Sequence, residues 1–194
     1  MFTTAQILCL ALSVFDMSPK KLQFACKHIP TVLNYSNKYE VDPLIVMSVI
    51  YNESKWDPKA IGAKGEIGLG QIMPQYVFSK RDRKKLKNPK VNIKVASMML
   101  SFWINNYAKG KELVGLCGYN GGARCHGRKP LRQSMRYARK VLGFRKNLKR
   151  SFQHIEKTLE REKIQTLAGE LESCQIDKRE VERELKVCYD NKRE

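Results

Sequence analysis

Apolar residues in this chain recur mostly at spacings of three and four, the period of helices that bury one face. Ser18-Pro19 reads as an N-cap followed by proline at the first helical position. Leu22, Ala25, Cys26, Ile29, Val32 and Leu33 follow at helical spacing. Asp42-Pro43 repeats the signal and opens a helix from Leu44 to about Lys55. Its residues Leu44 to Ile50 are nearly all apolar, which predicts burial on most faces, and Trp56-Asp57-Pro58 ends it. Four glycines between Gly62 and Gly70 predict a tight loop bounded by Pro74, and Ser79 to Lys90 reads as a polar, basic connector. Val91 to about Tyr107 resumes the helical period through Ile93, Ala96, Met99, Leu100, Trp103 and Ile104. No stretch alternates as a strand would. The pattern predicts an all-α fold: an apolar helix within residues 1–18, one compact helical domain over 19–147, and a charged helical extension over 148–194.

In that extension Ile164, Leu167, Leu171, Cys174, Lys178, Val181, Leu185 and Cys188 alternate at three and four, a heptad seam. Lys178 sits on the seam and Gly169 interrupts the helix. The segment therefore reads either as a short coiled coil that needs a partner helix or as a single solvated helix.

Charge sharpens the division. The net charge is +18, and residues 1–150 hold 28 Lys and Arg against 8 Asp and Glu, while residues 151–194 hold 9 against 11. A core-sized segment so basic is drawn to polyanions, whether nucleic acid, anionic lipid or a cell wall. The apolar run Ile7 to Phe15 has the length of a signal-peptide core. No Lys or Arg precedes it and no small-x-small site follows, so it is read as a packing helix. No apolar run reaches the roughly 18 residues that cross a bilayer, and no transmembrane segment is expected. Cys9, Cys26, Cys117, Cys125, Cys174 and Cys188 lack paired C-x-x-C spacing, so a zinc site is not expected. Buried or free thiols are the preferred reading, with Cys117 and Cys125 open to bridging because they flank a Gly-rich turn.

The residue with the clearest chemical position is Glu53. It follows Ile50, Val49 and Val46 by three, four and seven positions, which puts a carboxylate on the buried side of the apolar helix near its C-terminal end. Burial and the negative end of the helix dipole both keep such a group protonated near neutral pH, as a general acid requires. Taken alone, a structural Glu paired with one of the many cations explains it as well.

Its surroundings change that balance. Asn52-Glu53-Ser54 is followed by Asp57-Pro58, then by Gly65-Glu66-Ile67-Gly68-Leu69-Gly70-Gln71-Ile72-Met73-Pro74, by Asn88-Pro89 with Asn92-Ile93, and by Gly118-Tyr119-Asn120-Gly121-Gly122. Four blocks in this order, over about residues 38–143, resemble the catalytic domain of the soluble lytic transglycosylases. The resemblance implies a lysozyme-like helical fold and peptidoglycan glycan strands as the substrate, with no metal or cofactor. It implies Glu53 as the catalytic acid and base, Ser54 as its polar support, and Gln71, Met73, Tyr119 and Asn120 along the sugar groove. Each of the latter also has a bland role: Met73 as core, Gln71 as a brace for its own loop, Tyr119 as a buried cap. Two departures stand out. Gly118 replaces the usual alanine before Tyr119, and Gln133-Ser134 stands before Tyr137 where the family often has an acidic pair.

In this family Glu53 would protonate the bond between N-acetylmuramic acid and N-acetylglucosamine. It would then take the muramyl 6-hydroxyl proton, giving a 1,6-anhydromuramyl end. A second scheme is hydrolysis on the same fold, as in goose-type lysozymes, with Glu66 or Asp57 positioning water; Glu66 is expected to point into solvent. A third is a non-enzymatic nucleic-acid-binding or structural protein that uses Lys80–Lys90 and Arg124–Lys149, although no base-reading module occurs and nucleic acid is not the expected partner. The site of action expected is the bacterial cell wall, reached by a phage lysis or virion apparatus, with the extension serving self-association or docking.

Overall fold

The computed structural model describes residues 2–126 and 131–190, apart from some side chains near the end of the last helix. Seven α-helices are described: α1 (Thr4–Ser13), α2 (Pro19–Lys38), α3 (Pro43–Ser54), α4 (Lys80–Arg83), α5 (Pro89–Ser101), α6 (Glu112–Gly121) and α7 (Arg132–Asp190). The chain forms two compact units, Met1–Phe152 and Gln153–Glu194, with α7 contributing to both. Among the described residues there is no strand, only isolated bridges of Ile67 with Ile61 and with Ile72.

Helix α3 is the centre of the first unit. Ile45, Val46, Met47, Val49 and Ile50 are at most 1% exposed, as the unbroken apolar run requires. The Asp42 carboxylate accepts from the Leu44 amide at 2.8 Å and caps α3, with Pro43 supplying the fixed first φ. Around α3 pack α2 and α5, and α2 also carries α1. Near the start of α7, Ala138, Val141 and Leu148 are buried, Phe144 stacks on Tyr51, and Arg145 donates to Asp42 at 2.7 Å and to Glu112 at 2.8 Å. One guanidinium thus joins the cap of α3 to the first residue of α6. It also removes Arg145 from the cations that residues 124–149 could offer a polyanion.

Three sequence expectations change. The periodic stretch through Tyr107 is not one α-helix, because α5 ends at Ser101 and a π-helical turn runs Phe102–Tyr107. The polar connector contains the short helix α4. The thiol expectation fails at Cys9, which is bridged to Cys26, while Cys117 and Cys125 form the bridge that their spacing left open. Packing of α1 beside α2 brings Cys9 and Cys26 to a Cα separation of 5.0 Å, which sequence spacing does not reveal.

The second unit is the remainder of α7. Its seam residues Ile164, Leu167, Leu171 and Val181 are exposed, and Lys178 lies 3.9 Å from Glu182 one turn on. The side chains of the other seam positions, Cys174, Leu185 and Cys188, lie outside the described residues.

Replacing Cys9 and Cys26 together by alanine should lower the stability of the first unit by about 3 kcal/mol, the loop-closure value for a 17-residue separation, read as a lower urea midpoint at unchanged helical circular dichroism.

Candidate active site

The Gly-rich loop is assembled against three helices by buried polar side chains. Asn92, 1% exposed on α5, accepts from the Gly70 amide at 2.8 Å through Oδ1 and donates through Nδ2 to the carbonyls of Ile67 at 2.8 Å and Leu86 at 2.9 Å. Ser54, at the end of α3, donates to the Leu69 carbonyl at 2.9 Å. Tyr119, on α6, donates to the Gly70 carbonyl at 2.8 Å. Gly68 takes φ +74°, and its Cα lies so close to Asn92 and the Leu86 carbonyl that a β-carbon would meet both. The Asn-Pro-x-x-Asn block thereby acquires a physical meaning. Asn88 caps α5 by accepting from Val91 at 3.2 Å, and Asn92, one turn later, holds the loop.

Glu53 lies on the last turn of α3, half-buried. The helix stops two residues later because Lys55 and Trp56 take left-handed backbone angles, φ 50° and 60°. Trp56, fully buried, anchors that turn, and the Lys55 ammonium lies 3.5 Å from the centre of the Tyr51 ring. Such backbone costs about 1–3 kcal/mol per residue and is tolerated where the surroundings over-determine it.

Tyr137, on α7, donates a 2.6 Å hydrogen bond to Glu53 Oε1. Burial raises the Glu53 pKa from 4.5 to about 7; the Tyr137 bond opposes the rise and the negative charge of Glu66 adds to it. The phenols of Tyr119 and Tyr137 are held well above their ordinary pKa by burial and by the Glu53 charge, so both remain donors. The group is thus a carboxyl poised to lose or gain a proton near neutrality, fixed by one donor.

The sequence-derived candidates divide. Glu53 lies on the buried helix end as its spacing predicts, whereas Ser54, expected as its polar support, uses its hydroxyl on the Leu69 and Ile50 carbonyls and braces the loop instead. The Gln71 amide donates to Gly68 at 2.9 Å and to Ala60 at 3.3 Å, so its nitrogen braces the loop that carries it. Tyr119 uses its hydroxyl on Gly70 while staying electrostatically coupled to Glu53. Met73 is half-buried and Asn120 is exposed at the end of α6. Glu66 departs from the solvent-facing expectation: it is half-buried, accepts from the Lys64 amide at 2.9 Å, and acts on Glu53. Asp57 accepts from the Lys59 amide at 2.9 Å in a local turn. Tyr137 escaped the sequence analysis as a site residue because it lies 84 positions from Glu53. Its one signal was its place in the family's late tyrosine block. Among the described residues no group of three or more His, Cys, Asp or Glu could hold a metal.

Gly118, the departure before Tyr119, also has a cause. A β-carbon there would overlap the Trp103 ring, and at Gly115, one turn earlier, it would overlap Ile104. The π-turn therefore presses directly on the α6 backbone, and the missing methyl group is what lets it do so.

Two outcomes follow from the Glu53 environment. The folded state keeps the Glu53 proton through the window from about 4.5 to about 7, where the unfolded chain has lost it, so this group's contribution to stability falls as pH rises through that window. Glu53→Gln should therefore match the wild type below pH 4.5 and exceed it above pH 7 by on the order of 3 kcal/mol in thermal or urea unfolding. Tyr137→Phe removes the hydrogen bond that lowers the pKa, so the fall in stability should extend to higher pH, by about one to two pH units for a hydrogen bond to a charged group.

Comparison with known proteins places this geometry in context. The membrane-bound lytic murein transglycosylase C of Glaesserella parasuis is 27% identical, with 51% of this chain and 32% of the relative covered. That of Serratia proteamaculans is also 27% identical at the same coverage. The chain thus spans about a third of the length of these curated relatives. Among solved structures, the 70 kDa soluble lytic transglycosylase of Escherichia coli superposes with a TM-score of 0.56 at 20% identity, covering 76% of this chain and 30% of that one. An inactive mutant of the lytic transglycosylase Slt from Pseudomonas aeruginosa gives 0.53 at 19% identity, covering 64% and 24%. The fold is shared with both. The model of the transglycosylase SLT domain matches residues 30–142, more than half of the chain and every block around Glu53, and the chain belongs to that family.

Proposed function

We propose that the protein cleaves the bond between N-acetylmuramic acid and N-acetylglucosamine in peptidoglycan as a lytic transglycosylase, with Glu53 as the acid and then the base. The observation that carries this is the half-buried Glu53 carboxyl, whose pKa stands near 7 and which accepts a hydrogen bond from Tyr137. A group with that pKa is populated in both protonation states at neutral pH, which a residue that first gives and then takes a proton needs. In the first step the glycosidic oxygen accepts the Glu53 proton as its bond to the anomeric carbon breaks. In the second, Glu53 accepts the muramyl 6-hydroxyl proton as that oxygen bonds to the anomeric carbon, so no water is consumed. The names of the curated relatives, lytic murein transglycosylases, support this reading. Met73 and Asn120, with the faces of Gln71 and Tyr119 that the loop leaves accessible, are the proposed sugar contacts.

Glu66 favours a second reading. Its half-buried carboxylate adds to the rise in the Glu53 pKa, and a second carboxylate near the first is what a hydrolase uses to position water. Asp57 is the weaker partner for that role, being held in its own turn.

The site of action that fits is the bacterial cell wall, and two disulfides within residues 1–152 suit an oxidising compartment. Delivery by a phage lysis or virion apparatus is part of this proposal. No helix among the described residues is long and apolar enough to cross a membrane. The exposed seam Ile164, Leu167, Leu171 and Val181 is the proposed surface for self-association or docking.

Muropeptides released from purified peptidoglycan should be about 18 Da lighter than reducing-end products, and Glu53→Gln should release none while keeping its helical circular dichroism. Reducing-end products that disappear in Glu66→Gln would instead establish hydrolysis, and undiminished release by Glu53→Gln would remove Glu53 from its role.

A further inference from the structure

Tyr76 to Lys90 builds a surface that the proposed reaction does not use. Val77 and Leu86 are each 1% exposed and belong to one core cluster with Ile72, Val95 and Ala96. Backbone at Val77 and Ser79 is extended, so the neighbours of Val77 point away from that cluster. Tyr76 is 63% and Phe78 95% exposed. Lys85 and Lys87, in a turn, are exposed on either side of the second anchor, Leu86, and Lys80, Arg81, Lys84 and Lys90 are exposed with them.

The segment is held as one local unit. Arg83 donates to the Val77 carbonyl through Nη2 at 2.7 Å and Nε at 3.2 Å, tying the base of the aromatic pair to α4, and Ser79 caps α4 by accepting from Asp82 at 3.2 Å. Asp82 is the one acid between residues 67 and 111, and it is engaged by Lys94 at 2.6 Å. The six cations named above have no carboxylate partner among the described residues.

We propose that this surface docks the protein on an anionic lipid bilayer, with Phe78 and Tyr76 entering the headgroup region and the cations meeting lipid phosphates. Cations alone would serve any polyanion. What favours a bilayer is that they stand beside two exposed rings, one of which carries no polar atom. Burying an aromatic ring in the interface is favourable, and each Lys or Arg near an anionic surface adds to it. The inference is independent of the reaction and holds or fails without it.

The test is sedimentation of the full chain with vesicles of phosphatidylglycerol and phosphatidylethanolamine, against vesicles of phosphatidylcholine, at about 0.1 M salt. Binding to the anionic vesicles alone is expected. Lys84→Gln, Lys85→Gln and Lys87→Gln together should weaken it by about two orders of magnitude, and Phe78→Ser by about tenfold or more. Arg139→Gln, Lys140→Gln and Lys146→Gln remove the same charge from α7 and should leave binding within a few-fold. Phe78→Trp should show blue-shifted emission on the vesicles and quenching by brominated lipid. Failure of the wild type to bind anionic vesicles would overturn the proposal. So would equal losses from the two triple variants, or a Trp at position 78 that stays unquenched while binding persists; the last would mark a polyanion surface such as one for nucleic acid. Cleavage of soluble glycan strands should be unchanged in Phe78→Ser, which keeps the two readings separable.

Discussion

Buried backbone polar groups must find partners, and the Gly62–Gly70 loop meets only part of that demand within itself. Bonds such as Gly62 to Glu66 at 2.8 Å and Gly68 to Ala60 at 2.8 Å close the loop on its own chain. The carbonyls of Ile67, Leu69 and Gly70 and the Gly70 amide are met from outside by Asn92, Ser54 and Tyr119. Because those residues belong to α5, α3 and α6, three helices are locked to one short segment, and the helix bearing Glu53 is among them. Substituting any one would leave a buried carbonyl or amide without a partner, at roughly 1–3 kcal/mol, and would loosen the carboxyl as well.

The same economy governs the electrostatics. Burying Glu53 raises its pKa, which by itself would favour a permanently neutral acid; the Tyr137 donor pulls the other way and Glu66 pushes it back up. Burial is the largest of these influences and sets the direction, and with the Tyr137 bond opposing it the result stands near 7. A carboxyl kept at that balance reduces the stability of the folded state at neutral pH. Under the proposed reaction, that cost is the form a functional compromise takes.

Helices were legible in the sequence because their signals are local: Asp42-Pro43 and Asn88-Pro89 cap and start α3 and α5, and the apolar run of α3 fixes its burial. Glu53 was legible for the same reason, since helical spacing alone puts it on the buried side. What escaped depends on pairs distant in sequence. Tyr137 reaches Glu53 across 84 residues, and Cys9 meets Cys26 only because α1 packs beside α2. Glu66 reads as a loop carboxylate until the loop folds back on Gly62, whose Cα it closely approaches. The π-turn was hidden because Trp103 and Ile104 keep the helical period while the backbone widens. Gly118, a departure in sequence terms, becomes a requirement once the Trp103 ring is seen against it.

Five other acids of the first unit show how Glu53 differs from them in a segment so rich in cations. Asp42 and Glu112 share Arg145, and Asp82 holds Lys94. Asp57 and Glu66 accept from backbone amides two residues away. Each of these anions is matched by a cation or an amide close to hand, so its charge is stabilised and its structural role explains its presence. Glu53 alone among these has a neutral phenol as its hydrogen-bond partner, with a second carboxylate acting on it and no ion pair among the described residues. With 28 Lys and Arg available in residues 1–150, a pairing that would have held Glu53 permanently ionised was within the composition's means. The fold supplies Tyr137 instead, a donor that orients the carboxyl without an opposing charge, and that choice of partner is what the proposed proton transfer requires.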